Sequence, residues 1–113
     1  MKLIDPKKNP SVPTPDHTNV TSQEIAGATV GAKSCVVKLG VYQPGGSSIF
    51  HVHEKQEHVF YILEGALTLE DKNKNKLTAH AGEALYVPAG EEHAAFNYTD
   101  KKIVYIAVTS PLA

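Results

Sequence analysis

The sequence predicts an all-β protein, an antiparallel sandwich or barrel, and three observations carry that reading. From about Ser34 onward the chain runs in short stretches rich in Val, Ile, Leu and Tyr, each closed by turn residues. No ten-residue window holds a helical period; "SQEIAGA" comes nearest, and Gly27 interrupts it. The length of 113 residues is that of one domain, enough for a single core but with a surface-to-volume ratio that invites oligomerisation.

The elements follow in order. Residues 5–16 hold four prolines, Pro6, Pro10, Pro13 and Pro15, among polar residues, and read as an extended arm without repetitive hydrogen bonding. The expected division is an N-terminal arm over 1–22 and a barrel over 23–113. "SCVVKLGVY" stops at "QPGG", "SSIFHVH" at "EKQE", and "HVFYILE" at Gly65. "ALTLE" and "LTAHA" flank the polar "DKNKNK" as a hairpin with a loose tip. "EALYV" ends at "PAG", "HAAFNY" at "TDKK", and "IVYIAV" is the last apolar run, which makes about seven strands.

Composition narrows the partners. Eleven basic residues face twelve acidic ones, so there is no electrostatic footprint for nucleic acid or an anionic membrane. Every basic residue is lysine, and without the planar fork of arginine a strongly anionic substrate is disfavoured. Cys35 stands alone, which excludes an intrachain disulfide, and its neighbours read as a buried strand rather than as the setting of a nucleophile. The start "MKLIDPKKNP" lacks a secretory apolar core and no apolar run reaches membrane-spanning length, so a cytoplasmic protein acting on a small molecule is expected.

The histidines carry the chemistry. Strand parity points His51 and His53 to the face that holds Ile49, groups His58 with Phe60 and Ile62, and groups His93 with Ala95 and Asn97. One such histidine alone is ordinarily a surface or hydrogen-bonded core residue. Three or four imidazoles turned into one small barrel are costly to bury unless something satisfies their nitrogens, and a divalent cation does so directly. The pocket beside it is expected to be small and apolar, formed by Ile49, Phe60, Ile62 and Ala95. His17 in the arm and His80 on a hairpin read as surface residues, and Glu91 and Glu92 as solvated or covering the mouth.

At these residues the chain resembles the cupin superfamily. "GGSSIFHVH" matches its first motif in Gly45, His51 and His53, and "GEALYVPAGEEHAAFN" matches the second without a gap in Gly82, Pro88, Gly90, His93 and Asn97. Where the family usually carries a glutamate with six residues between it and the closing glycine, this chain has His58, with Glu57 displaced by one. The resemblance covers about residues 34–110. It implies a single-domain double-stranded β-helix, a jelly-roll-like barrel holding one divalent transition metal ion (Fe, Mn, Ni, Zn or Cu) per chain. Counting back from Gly65 puts His58 at the ligand position, which makes the set His51, His53, His58 and His93. The alternative, Glu57 ligating through a shifted register, requires a bulge. Among such proteins are dioxygenases, enzymes of enolate chemistry, isomerases, lyases and binding proteins, so catalysis stays open. Small relatives commonly pair through sheet faces, and the outward parity of Val59, Tyr61 and Leu63 suggests a homodimer with the arm, or the strand around Thr18 to Ile25, lying across the partner's barrel.

Overall fold

A computed structural model describes residues 1–112. Nine strands form one sheet: β1 (Val12–Pro13), β2 (His17–Ala26), β3 (Val36–Ser48), β4 (Glu57–Glu64), β5 (Ala66–Asp71), β6 (Lys76–His80), β7 (Ala84–Val87), β8 (His93–Phe96) and β9 (Ile103–Ser110). Among the described residues the helical elements are two short 3₁₀ turns, Pro6–Lys8 and Ala28–Val30. Among the described residues no helix is long and apolar enough to cross a membrane.

The strand order is β6-β5-β8-β3-β9-β4-β7, all antiparallel, with β2 added to β3 and β1 to β2. The amides of Ile62 and Gly82 bond across the gap between β4 and the β6–β7 turn, so the sheet curls toward closure as a jelly-roll barrel. Gly65 joins β4 to β5 at φ 87°, a left-handed conformation, and a Cβ there would lie 2.9 Å from the Lys102 carbonyl oxygen; glycine suits this corner. The core gathers the inward residues of every long strand, among them Val20, Tyr42, Ile62, Leu67, Leu69, Leu85, Val87 and Ile103.

The arm and its boundary differ from expectation. Strand β2 runs unbroken across residue 22 and pairs with β3 of its own chain, from His17↔Ser48 to Ala26↔Val37, so Thr18 to Ile25 completes this barrel rather than a partner's. Part of the Pro-rich segment also pairs, with Val12 opposite Ser22 and Pro13 opposite Thr21. "SQEIA" is strand, not helix, because its alternation lets Val20 and Ser22 face inward. β3 continues through "QPGG" to Ser48, and the chain then leaves the sheet. Cys35 lies half-buried just before β3 rather than inside a strand.

Candidate metal centre

Residues 49–56, where a strand was expected, form an irregular segment held by its backbone. His51 and His93 exchange two main-chain bonds, N to O at 3.0 and 2.9 Å, and the Gly90 amide donates to the His53 carbonyl at 2.8 Å. These bonds fasten the turn before β8 to the segment after β3 and bring three imidazoles together. One ring nitrogen from each of His51, His53 and His93 falls within 4.8 Å of the others. Nitrogens bound to one ion at about 2.1 Å lie about 3–4 Å apart, so this cluster could close on a metal with a small inward shift. His58 arrives from β4, its ring centroid 4.2 Å from that of His53 and 6.4 Å from that of His93.

The hydrogen bonds orient the rings. Nδ1 of His51 donates to the Ile49 carbonyl at 2.8 Å, and Nδ1 of His93 to the Glu91 carbonyl at 3.0 Å. A carbonyl only accepts, so each of these rings carries its proton on Nδ1 and leaves Nε2 with a free lone pair. His58 Nδ1 pairs with Thr109 Oγ1 on β9 at 2.8 Å, while its buried Nε2 has no partner among the described residues. An orphaned buried nitrogen beside three other imidazoles is the arrangement a cation would satisfy.

Electrostatics agree. Burial, then the charges of His53, His93 and His51, holds His58 down to about 4. Burial likewise lowers His53, with its imidazole neighbours adding to the effect, and lowers His93 against the opposing pull of the Glu91 carbonyl. These rings are therefore neutral near pH 7, the form that ligates metal.

The cluster forms one wall of a cavity of about 430 Å³. Phe60 and Ala95 line it as expected, but the other two pocket residues do not. Ile49 is 56% exposed, because alternation ends where the chain leaves the sheet, and Ile62 is fully buried in the core. Glu57, Glu91 and Glu92 are exposed and outside the cavity; Glu91 serves His93 through its carbonyl rather than its carboxylate. His80 is on the surface against Glu83. Asn97, the last residue of the second motif, is no ligand: its amide donates to the carbonyls of Tyr42, Gln43 and Lys101, pinning the β8–β9 turn to β3.

Among the lining residues that sequence reasoning did not place in the cavity are His17, Tyr42, Tyr105 and Thr109. His17, expected on the surface, is half-buried with its ring 6.1 Å from that of His51 and its Nδ1 donating to the Pro15 carbonyl at 2.7 Å. Simple parity hides it, since Asn19 at φ 54° sits in a register shift between Thr18 and Val20 and brings His17 to the same side as Val20. The other three follow the alternation of their strands, and their inward parity with Gly40 and Ile103 was available as a signal.

The fold and the site define an antiparallel β-barrel with a histidine cluster on the wall of its cavity. A family model for the cupin domain matches residues 38–109, and the chain belongs to that family. It is 31% identical over 85 residues to the polyketide synthase CurC of Streptomyces cyaneus, covering 75% of this chain and 54% of that protein. An oxalate-binding protein of Thermotoga maritima is 31% identical over 65 residues, 58% of this chain and 53% of its own. The chain thus spans about half the length of these two relatives. In three dimensions it is similar to the polyketide cyclase RemF of Streptomyces resistomycificus, with TM-score 0.85 and 26% identity over all of this chain and 80% of that one.

Proposed function

We propose that this cupin binds one divalent transition metal ion through His51, His53, His58 and His93, with His58 in the place of the family's usual glutamate. In this reading it is an enzyme of enolate chemistry on a small β-dicarbonyl compound. The observation that carries the proposal is the imidazole cluster, with the orphaned Nε2 of His58, on one wall of a cavity whose other walls mix Tyr42, Phe60, Ala95, Tyr105 and Ala107 with the polar Asp16, Ser22, Lys38 and Ser48. Similarity to a polyketide cyclase supports the substrate class, since poly-β-ketones are such compounds.

A divalent ion held there would supply Lewis-acid polarisation of a chelating oxygen pair. The protein's own residues do the rest. Ile49, Thr109 and Glu91 hold the rings of His51, His58 and His93. Phe60, Ala95 and Ala107 present apolar surface that keeps water from the reacting carbon. His17, its Nδ1 committed to Pro15, leaves Nε2 as an acceptor for a proton from the carbon beside a carbonyl that becomes the nucleophile. Four neutral ligands leave the full +2 charge, which favours divalent over trivalent ions.

A direct test loads the protein with redox-inert zinc and offers heptane-2,4,6-trione. The enolate reading expects carbon–carbon closure to a methylresorcinol with release of one water and no oxygen uptake. Oxygen consumption by the iron-loaded protein, with none of this product from the zinc form, would replace it with oxygen-dependent cleavage. Saturable binding without turnover would support a binding protein, the reading favoured by the similarity to an oxalate-binding protein.

A homodimer belongs to the same proposal. Cross-strand rows on the outer sheet face, Val37–Val108–Val59–Tyr86 and Leu39–Ile106–Tyr61–Ala84, make an apolar surface across β3, β9, β4 and β7. Val59, Tyr61 and Tyr86 on it are exposed, and a second copy is the occupant such a face suits.

A further inference from the structure

The cavity is ringed by aromatic side chains in an unbroken sequence. From His58 the ring centroids step to Phe60 at 6.1 Å, to Tyr105 at 5.8 Å, to Tyr42 at 5.6 Å, to His17 at 5.9 Å and to His51 at 6.1 Å. His53, 4.9 Å from His51 and 4.2 Å from His58, closes the circuit. The imidazoles of the proposed metal site occupy one arc, and Tyr105 and Tyr42 the arc across from it.

Both tyrosines are more than nine-tenths buried, yet neither hydroxyl has a hydrogen-bond partner among the described residues. Nor is either sealed off: among the described residues the only completely enclosed side-chain polar atom without a partner is His58 Nε2. Each hydroxyl therefore opens on the cavity both residues line. A phenol held in an apolar wall without a protein partner is a donor waiting for an acceptor. Burial raises both groups, Tyr105 to about 12, so they remain protonated donors at neutral pH.

The backbone makes room for this arrangement at one point. Gly40 lies opposite Tyr105 in the β3–β9 ladder, and a Cβ on Gly40 would fall 2.1 Å from Tyr105 Cζ and 2.3 Å from its hydroxyl oxygen. Any larger residue would push the phenol tip off β3.

We infer that Tyr42 and Tyr105 form a second oxygen-binding subsite across the cavity from the imidazoles, and that the site selects a flat, conjugated ligand with a carbonyl or phenolic oxygen opposite its chelating pair. The inference deepens the proposed function and rests on it for the chelating end. The aromatic ring favours a planar ligand over a bulky aliphatic one, and the two donors require an acceptor at its far end.

Tropolone and 5-hydroxytropolone test it, because they share a planar chelating ring and differ by one oxygen opposite the chelating pair. Dissociation constants are measured by calorimetry on the zinc-loaded protein, with metal content determined for every sample. The expected result is about tenfold tighter binding of 5-hydroxytropolone, the contribution of one added hydrogen bond. That advantage falls toward one in Tyr42→Phe combined with Tyr105→Phe. Gly40→Ala, which keeps both hydroxyls but displaces Tyr105, loses it as well and serves where the double variant does not fold. Tropolone that binds with no gain from the 5-hydroxyl, or a gain that survives in the variants, overturns the inference and leaves the metal site standing. Failure of tropolone itself to bind the zinc form overturns the chelating site and the subsite together.

Discussion

His58, Phe60 and Ile62 on one face of β4 are buried in the core or turned to the cavity, whereas Val59, Tyr61 and Leu63, each one residue along, stand 36%, 45% and 47% exposed. Both sets are mostly apolar, so composition does not separate them. The inner set is held by a packed barrel and by imidazoles that need partners. In the outer set, Val59 and Tyr61 lie opposite residues of β7 and β9, while Leu63 falls in the register shift between Ile62 and Glu64. One strand thus serves two tasks, and a substitution reports on the site, the fold or the assembly according to the face it touches.

The largest expected effect lies on the inner side, at the cluster itself. His93→Ala should reduce metal affinity on the order of a thousandfold, since about 10–16 kcal/mol of apparent binding energy is shared among a handful of ligands. Glu57→Ala on the exposed side should leave it unchanged. Metal analysis after dialysis against a graded chelator reads both, and the reverse ranking would transfer the ligand role to Glu57.

Core packing gives the next contrast. Ile62→Ala should destabilise the fold by about 2–5 kcal/mol, as large-to-small changes at sealed sites do. Leu63→Ala, its neighbour on the other face, should stay within about 0.5 kcal/mol for the isolated chain. Denaturant midpoints at low protein concentration compare them, and equal losses would erase the distinction between the faces.

Tyr61→Lys then sharpens the outer side. A charge in the middle of the apolar rows should turn the proposed dimer into a monomer at tens of micromolar while metal content holds. Light scattering decides, and a wild-type chain that is already monomeric refutes the proposal.

The smallest effect is a pH dependence confined to the metal-free protein. His58 is held at about 4 in the folded state against an ordinary 6.5, so between these values the unfolded chain takes a proton that the folded chain refuses. Stability should therefore be complete above about 6.5, fall as pH drops toward 4 and level off below. His53, His93 and His17 are lowered as well and add in the same direction. His58→Phe should flatten the slope in a denaturant titration across that window, and an unchanged slope would remove His58 as a source of it.

Period-two alternation made the inner and outer faces of β4 legible, because the strand keeps its parity from Glu57 to Ile62, up to the register shift between Ile62 and Glu64. The same rule misplaced Ile49, where the chain had already left the sheet; His17 was placed on the surface with the arm, and the register shift between Thr18 and Val20 would have reversed any count from Val20. His51, His53 and His93 were singled out by their spacing rather than their conformation, and their rings come together although 49–53 is not the expected strand. The arm was misjudged because proline content describes a segment's freedom, not the edge that awaits it: β3 offers an open edge, and β2 takes it.

The position of β9 sets an order of events during synthesis. This strand, made after the eight others described, inserts between β3 and β4, and its Thr109 braces the imidazole of His58. All four histidines of the cluster leave the ribosome before it, yet β4 has no neighbour on that side until it arrives. A nascent chain that has not reached Ser110 therefore carries the four imidazoles without the frame, and assembly of the cluster must wait for β9.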